Sequence, residues 1–229
     1  MDDALVSLVA ASVTFVGSHF VLSHPLRTGL HNVFGARGFQ LIYSLVALAS
    51  FGWMVAAFRA VPAAAAPLWD GTGNGHWGFA SLLTLIASVL LVGSFQGNPA
   101  LPDPRARELA AKGPHGVFHV TRHPMMWSFA LWAVAHAIVA STPRVLLLAG
   151  ALGFLALVGA HLQDRKKEAL MGADWQRWEA VTSYWPRFER LRQSGPIPLG
   201  AGLVLWLAAT WGHIPLAYVP AGVWRWLVA

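Results

Sequence analysis

The chain has 229 residues, of which 56% are hydrophobic and only 11% are charged, whereas an ordinary soluble domain carries roughly 25% charged residues. This composition excludes a disordered chain, a coiled coil and a typical soluble enzyme, and it favours a protein that crosses a membrane several times. The absence of cysteine excludes disulfides, thiolate zinc sites, iron–sulfur clusters, thiolate-ligated haem and covalently attached c-type haem.

Six apolar segments reach or approach the length of roughly 20 residues that a helix needs to cross the hydrocarbon core. We expect an all-α bundle of about six membrane-spanning helices, because helices satisfy every backbone hydrogen bond within lipid. The sixth segment is short, and the tail Leu216–Val228 either extends it or lies at the membrane interface. The predicted spans are Leu5–Leu22, Phe39–Phe58, Trp77–Phe95, Pro124–Ala140, Val145–Leu162 and Ile197–Trp211.

Lysine and arginine concentrate in the loops after the first, third and fifth spans, which hold 13 of the 16 basic residues. Because cytoplasmic loops are enriched in these residues, this pattern predicts a multi-pass protein of the bacterial inner membrane with its N-terminus outside. The start, Met1-Asp2-Asp3, lacks the basic region of a signal peptide, so we expect the first span to be retained. No internal repeat is evident, which predicts a single membrane domain over residues 1–229.

The net charge is +6. No basic patch is interleaved with exposed aromatic residues, so we expect the membrane surface, and not nucleic acid, to be the partner of these charges.

Ten histidines in so apolar a chain are the main candidates for a functional site. The topology predicts that His19, His123 and His161, on three different spans, lie at one depth near the cytoplasmic face. Ionisable residues within a bilayer are costly, which makes such a cluster a candidate functional site. A structural hydrogen bond between helices is the alternative for each of them. His136 lies deeper, and the sequence leaves the roles of His136 and His161 open.

Imidazole is a ligand of haem iron, zinc and copper. A b-type haem suits a slot between helices, with its ring at lipid depth, its propionates at the aqueous edge and two imidazoles on opposite faces of the iron. Arg27, Arg37 and Arg122 lie at the level where they can pair with propionates, although anchoring at the cytoplasmic face is their alternative role. Zinc is the rival metal, but glycine and proline interrupt the one run of evenly spaced histidines.

Residues 165–192 combine charged residues with large aromatic ones, among them Trp175, Trp178 and Trp185. This composition predicts a cytoplasmic amphipathic segment that lies at the membrane interface, where the indole N–H groups stay in contact with water.

Two sets of motifs carry a family resemblance. They are Gly17-Ser18-His19 with Arg27, Gly35-Ala36-Arg37 and Tyr43-Ser44-Leu45, and Thr121-Arg122-His123-Pro124-Met125 with Leu131-Trp132 and Ala135-His136. With these motifs the chain resembles the NnrU family of membrane proteins, from about Leu5 to Phe188.

The NnrU family is named for its association with bacterial nitrite and nitric-oxide metabolism, and it includes the 15-cis-zeta-carotene isomerases, which are membrane proteins with haem b and histidine ligands. The resemblance implies that His19 and His123 are axial ligands of haem b and catalytic residues. It implies haem-dependent cis–trans isomerisation of a polyene that enters from the bilayer. A haem-binding accessory protein of denitrification is the alternative that it also implies.

A second resemblance leads to a different enzyme class. Arg122-His123-Pro124, followed by Glu168 and Gly172, is similar to membrane methyltransferases of the isoprenylcysteine carboxyl methyltransferase type. This similarity implies S-adenosylmethionine as the cofactor and methyl transfer to an amphipathic substrate. The usual Tyr-x-Gly after the proline is Met126-Trp127-Ser128 here.

Overall fold

The computed structural model describes residues 3–63 and 65–228, so Met1 and Asp2 of the acidic start lie outside the described residues. The described chain is built from α-helices and two short 3₁₀ segments, Gly116–His119 and Phe188–Ser194. The helices are α1 (Asp3–Ser23), α2 (Arg27–Ala60), α3 (Asn74–Gly93), α4 (Ala106–Ala111), α5 (Pro124–Val139), α6 (Pro143–Met171), α7 (Ala173–Val181), α8 (Pro196–Ala217) and α9 (Trp224–Leu227).

The predicted all-α membrane bundle is confirmed. Within the described ranges, α1, α2, α3, α6 and α8 are long and apolar enough to cross a membrane. The predicted fourth span is α5, an apolar helix of 16 residues, which at 1.5 Å per residue is about 24 Å long. The N-terminus-out orientation stays a prediction from the distribution of lysine and arginine.

Proline sets the start of three helices. Pro124, Pro143 and Pro196 are the first residues of α5, α6 and α8. At this position the fixed φ angle of proline suits a helix, and its missing N–H leaves no donor unsatisfied. Proline also limits the end of α1. This helix ends at Ser23, two residues before Pro25, because helical geometry is disfavoured for the residue that precedes a proline.

A kink divides α2 at Gly35, whose φ of 68° and ψ of −179° lie outside helical geometry. This left-handed φ region is open to glycine at little steric cost. The part of α2 after the kink contains the predicted second span. The part before it, which the sequence left as a loop, is helical and carries Arg27 and His31.

The main helices pack in the spatial order α2, α1, α6, α5, α3 and α8, each against the next. The order differs from the chain order because α6 returns beside α1 after the α5–α6 hairpin. Since α2 packs mainly against α1, space is left between α2 and the α5–α6 hairpin. We call the end where α1 stops and α5 begins the basic end, because it carries the arginine- and lysine-rich loops.

The tryptophans of residues 165–192 differ in part from the prediction that their indole N–H groups stay in contact with water, while the position of the segment at the membrane interface stays a prediction. Trp175 and Trp178 are 0% exposed and belong to the core at the basic end, where the Trp178 ring lies 5.7 Å from the ring of Phe118. Among the described residues their indole N–H groups have no hydrogen-bond partner, whereas Trp185 is 67% exposed. Helix α7 therefore buries two large aromatic side chains in the core at the basic end, which removes them from water.

Candidate functional site

A cavity of about 590 Å³ lies between α1, α2, α5 and α6. This volume falls in the range of small-molecule sites, which are mostly apolar with a few polar groups. We call it the apolar cavity, since aromatic and aliphatic side chains form most of its wall. Its aromatic and sulfur-containing wall residues are Phe15, Phe20, Tyr43, Phe51, Met126, Phe129 and Trp132.

His19 is a polar group in the wall of the apolar cavity. Its Nδ1 lies 2.7 Å from the carbonyl oxygen of Phe15, and because a carbonyl only accepts, Nδ1 carries the proton. The lone pair of the neutral ring is then on Nε2. Metal-binding histidines commonly donate their other ring N–H to a carbonyl in this way. The rings of Phe15 and Tyr43, at 4.4 and 5.5 Å, fix the imidazole between them.

His24, in the loop after α1, also lines the apolar cavity. Burial, together with the positive charges of Lys166 and Arg27, lowers the pKa of His24. The neutral imidazole is therefore favoured at this position, which allows it to accept a hydrogen bond or bind a metal.

A second cavity, of about 660 Å³, adjoins the first at the basic end and shares Ser23, Tyr43, Gln163 and Lys166 with it. We call it the cationic cavity, because four basic side chains line it: Arg27, His31, Lys166 and Lys167.

Lys167 is almost completely buried, with 7% of its surface exposed. Its Nζ donates hydrogen bonds to the carbonyl oxygens of Pro99 and Leu101, at 2.6 and 3.1 Å. Gln163 donates to the carbonyl oxygen of Ala100 at 3.1 Å. These hydrogen bonds hold the loop after α3 against α6, and this loop forms one wall of the cationic cavity.

A buried ion-pair cluster joins α5 to α6. The carboxylate of Asp164 accepts hydrogen bonds from Nη2 and Nε of Arg122, at 2.7 and 3.0 Å, and from Nε2 of His123 at 2.7 Å. Arg122 Nη2 also lies 3.3 Å from a carboxylate oxygen of Glu179. The side chains of Asp164 and His123 are 7% and 0% exposed, so these charge-assisted bonds are shielded from water.

The loop after α7 completes this cluster. The carbonyl oxygen of Tyr184 accepts hydrogen bonds from Thr121 Oγ1 and Trp127 Nε1, both at 2.8 Å. The ring of Tyr184 packs edge-on to His123 and lies 5.7 Å from the guanidinium carbon of Arg122. Burial raises the pKa of the Tyr184 hydroxyl, and the negative charge of Asp164 raises it further.

The cluster also changes the pKa of Glu179 in α7. Burial raises the pKa of its carboxyl above the usual range, and the nearby carboxylate of Asp164 acts in the same direction. Two carboxylates thus share the positive charge of Arg122, and Asp164 has the better geometry.

The structure separates the two histidines that the family resemblance implies as haem ligands. His19 lines the apolar cavity, whereas His123 lines neither cavity. Nε2 of His123 donates a hydrogen bond to Asp164, and its buried Nδ1 has no hydrogen-bond partner within residues 3–63 and 65–228. In this arrangement His123 presents no nitrogen to the apolar cavity, so the side chains fit a haem held by His19 and do not fit one held by both histidines.

The predicted propionate partners are also spread out. Arg27 lines the cationic cavity, Arg122 is engaged by two carboxylates, and Arg37 is exposed and lines neither cavity.

The remaining candidate histidines lie elsewhere. His161 is exposed on α6. His136 stacks on Trp132 and its ring lies 6.0 Å from the ring of His213, far along the bundle from the start of α5. In the part of the chain that the structure describes, no three histidine or carboxylate side chains form a group that could hold a metal ion.

Sequence reasoning missed Asp164, Lys166 and Lys167 as members of these sites. A signal was present, since Asp164 is a carboxylate at the edge of the predicted fifth span, where an ionisable residue calls for a partner. The partner itself is 41 residues away in the chain, and no local pattern identifies it.

The chain matches the model of a known protein family. The model of the family described as NnrU protein matches residues 7–221. No curated protein and no solved structure matches the chain significantly.

Proposed function

Because this chain belongs to the NnrU family, and because its apolar cavity presents a histidine with a free ring nitrogen, we propose that it is a multi-pass membrane protein that binds haem b through His19. The observation that carries this proposal is the position of His19, whose Nδ1 is fixed by Phe15 and whose ring lines the cavity.

The walls of the apolar cavity suit a flat apolar ligand. Aromatic rings from α1, α2 and α5 face it, and such rings offer large apolar contact areas to a planar ring system. Met126 also lines the cavity and carries a thioether, a known ligand of haem iron opposite a histidine. Bound haem would supply a redox-active iron beside a space that excludes water. The chain's own role is to bind the ring, orient it through His19 and exclude solvent.

The test is a visible absorption spectrum of the detergent-purified protein before and after reduction with dithionite. We expect a Soret band that shifts on reduction and sharp b-type bands. His19→Ala should abolish or strongly alter these bands, while His31→Ala, a matched change outside the apolar cavity, should leave them intact. Protein that stays colourless after expression with added haem precursor would overturn the proposal.

His123→Ala separates this proposal from ligation by two histidines. If His19 alone binds the iron, the bands of folded His123→Ala protein should match those of the wild type in position. A shift as large as that of His19→Ala would show that both histidines bind the iron and that the cavity rearranges when haem is present.

For the activity we propose haem-dependent cis–trans isomerisation of a polyene. The specific support is the extended aromatic wall next to His19, which suits a long conjugated chain that enters between α2 and the α5–α6 hairpin. The assay is turnover of a 15-cis polyene with oxidised and with reduced protein. Turnover that depends on reduced iron supports an enzyme, and haem without turnover supports an accessory role in nitrogen-oxide metabolism.

Methyl transfer has less support from the geometry. Glu168 pairs with Arg165 at the protein surface and lines neither cavity, and Arg122 and His123 are already bound to Asp164. Binding of S-adenosylmethionine that is lost in Glu168→Ala would favour this alternative. For the membrane, we propose the bacterial inner membrane, on the basis of the basic loops.

A further inference from the structure

The cationic cavity has a charge pattern that haem binding through His19 leaves unexplained. Arg27, Lys166 and Lys167 line it together with His31, and the described lining includes no aspartate or glutamate. The positive charges of Arg27 and Lys166 both repel the charge of Lys167, and the charge of Arg27 also repels that of Lys166. Positive charges gathered in this way repel one another, and an anion bound between them would remove that cost.

Carboxylates of the chain do not supply that anion. In the described ranges, neither Arg27 nor Lys166 forms an ion pair with an acidic side chain. Asp103 attracts Lys167, but it lies outside the cavity lining and pairs with Arg105. The cavity therefore keeps an excess of positive charge.

The surroundings of these charges are those of a membrane-facing pocket. The cavity lies at the basic end between α2 and α6, and apolar side chains complete its wall, among them Phe39, Leu101, Met125 and Leu170. Basic pockets between membrane-spanning helices on the cytoplasmic side bind the head groups of anionic lipids. Cations next to apolar surface match a ligand that has an anionic head and an apolar chain.

We propose that the cationic cavity binds the phosphate group of an anionic membrane amphiphile. Arg27 and Lys166 contact the phosphate oxygens, and the first part of the apolar chain lies against Phe39 and Leu170. His31 and Lys167 add to the positive potential, with Lys167 anchored by its backbone carbonyl partners. The site goes beyond the proposed haem site, and it does not require haem.

The experiment uses the full chain in a neutral detergent and native mass spectrometry with short-chain phosphatidylglycerol and phosphatidylcholine. We expect one molecule of phosphatidylglycerol to bind per chain, and to bind more tightly than phosphatidylcholine. Each cation near a lipid phosphate contributes roughly a fivefold gain in affinity. Arg27→Gln should therefore weaken phosphatidylglycerol binding about fivefold, and Arg27→Gln with Lys166→Gln about 25-fold. Arg37→Gln, on the same helix but outside both cavities, is the matched control.

Each of the following results would overturn the proposal. Equal binding of the two lipids would show that the cations do not select an anionic head, and an equal loss in Arg37→Gln would show a diffuse surface effect. Inorganic phosphate that displaces the lipid at equal concentration would identify a soluble phosphate, and not an amphiphile, as the ligand.

The same preparations with and without added haem keep this proposal distinct from the haem proposal. Colourless protein that retains selective phosphatidylglycerol binding refutes the haem site and supports the lipid site. Haem that displaces the lipid shows that the carboxylates of haem compete for the cationic cavity, which supports the haem site and contradicts a lipid site separate from it.

Discussion

Asp164→Ala tests whether the cluster of Arg122, His123 and Asp164 stabilises the bundle. In the native protein the carboxylate accepts hydrogen bonds from both basic side chains. Removing it leaves the N–H of His123 buried without an acceptor and leaves Arg122 with Glu179 as its remaining carboxylate. The α5–α6 contact at the basic end loses its only buried carboxylate among the described side chains of this cluster.

The expected loss of unfolding free energy is about 3 kcal/mol. Removing one partner of a buried ion pair typically costs 3–5 kcal/mol, because the other charge stays buried. The lower part of this range applies here, because Arg122 is 13% exposed and Glu179 lies 3.3 Å from its Nη2. A loss of about 3 kcal/mol corresponds to a change of more than a hundredfold in the unfolding equilibrium.

Unfolding by SDS in mixed micelles, followed by tryptophan fluorescence, measures this loss, since the chain has 12 tryptophans. Asp164→Asn keeps the size of the side chain and one acceptor, so we expect a smaller loss than for Asp164→Ala. Asp103→Ala removes a carboxylate that pairs with Arg105 at the surface, where the expected cost is about 0–1 kcal/mol. Equal losses for Asp164→Ala and Asp103→Ala would refute the reasoning.

Two further predictions concern helix packing and pH. A Cβ added at Gly202 of α8 would lie 2.7 Å from the Cα of Val89 in α3, so Gly202→Ala should cost about 1–3 kcal/mol in unfolding free energy, whereas Gly200→Ala, with open space around it, should cost nothing in the same assay. The pKa of Glu179 is raised in the folded protein, so folding favours the protonated carboxyl. The stability of the wild type relative to Glu179→Gln should therefore be greatest below the ordinary pKa of glutamate. This advantage should be lost as the pH rises through the folded-state pKa. Unfolding of both proteins at pH 4 and pH 8 checks this sign, and an advantage that grows with pH would contradict it.

The sequence by itself determined the class of the protein and most of its helices. The length and hydropathy of the apolar segments are local properties, so the predicted spans overlap α1, α2, α3, α5, α6 and α8. The prolines at residues 124 and 143 set two helix starts for the same local reason. His19 was also recognised from its position in the first span, because an ionisable residue within lipid stands out from its neighbours.

Only the tertiary structure decided which of these residues meet. The spatial order of the helices leaves the apolar cavity between α2 and the α5–α6 hairpin, and it places His19 in the cavity wall while His123 turns to Asp164. The depth of a residue in the membrane follows from its position along a span, which is why the sequence predicts His19 and His123 at the same depth. The direction in which a side chain faces depends on partners far away in the chain, and here a carboxylate 41 residues later determined it.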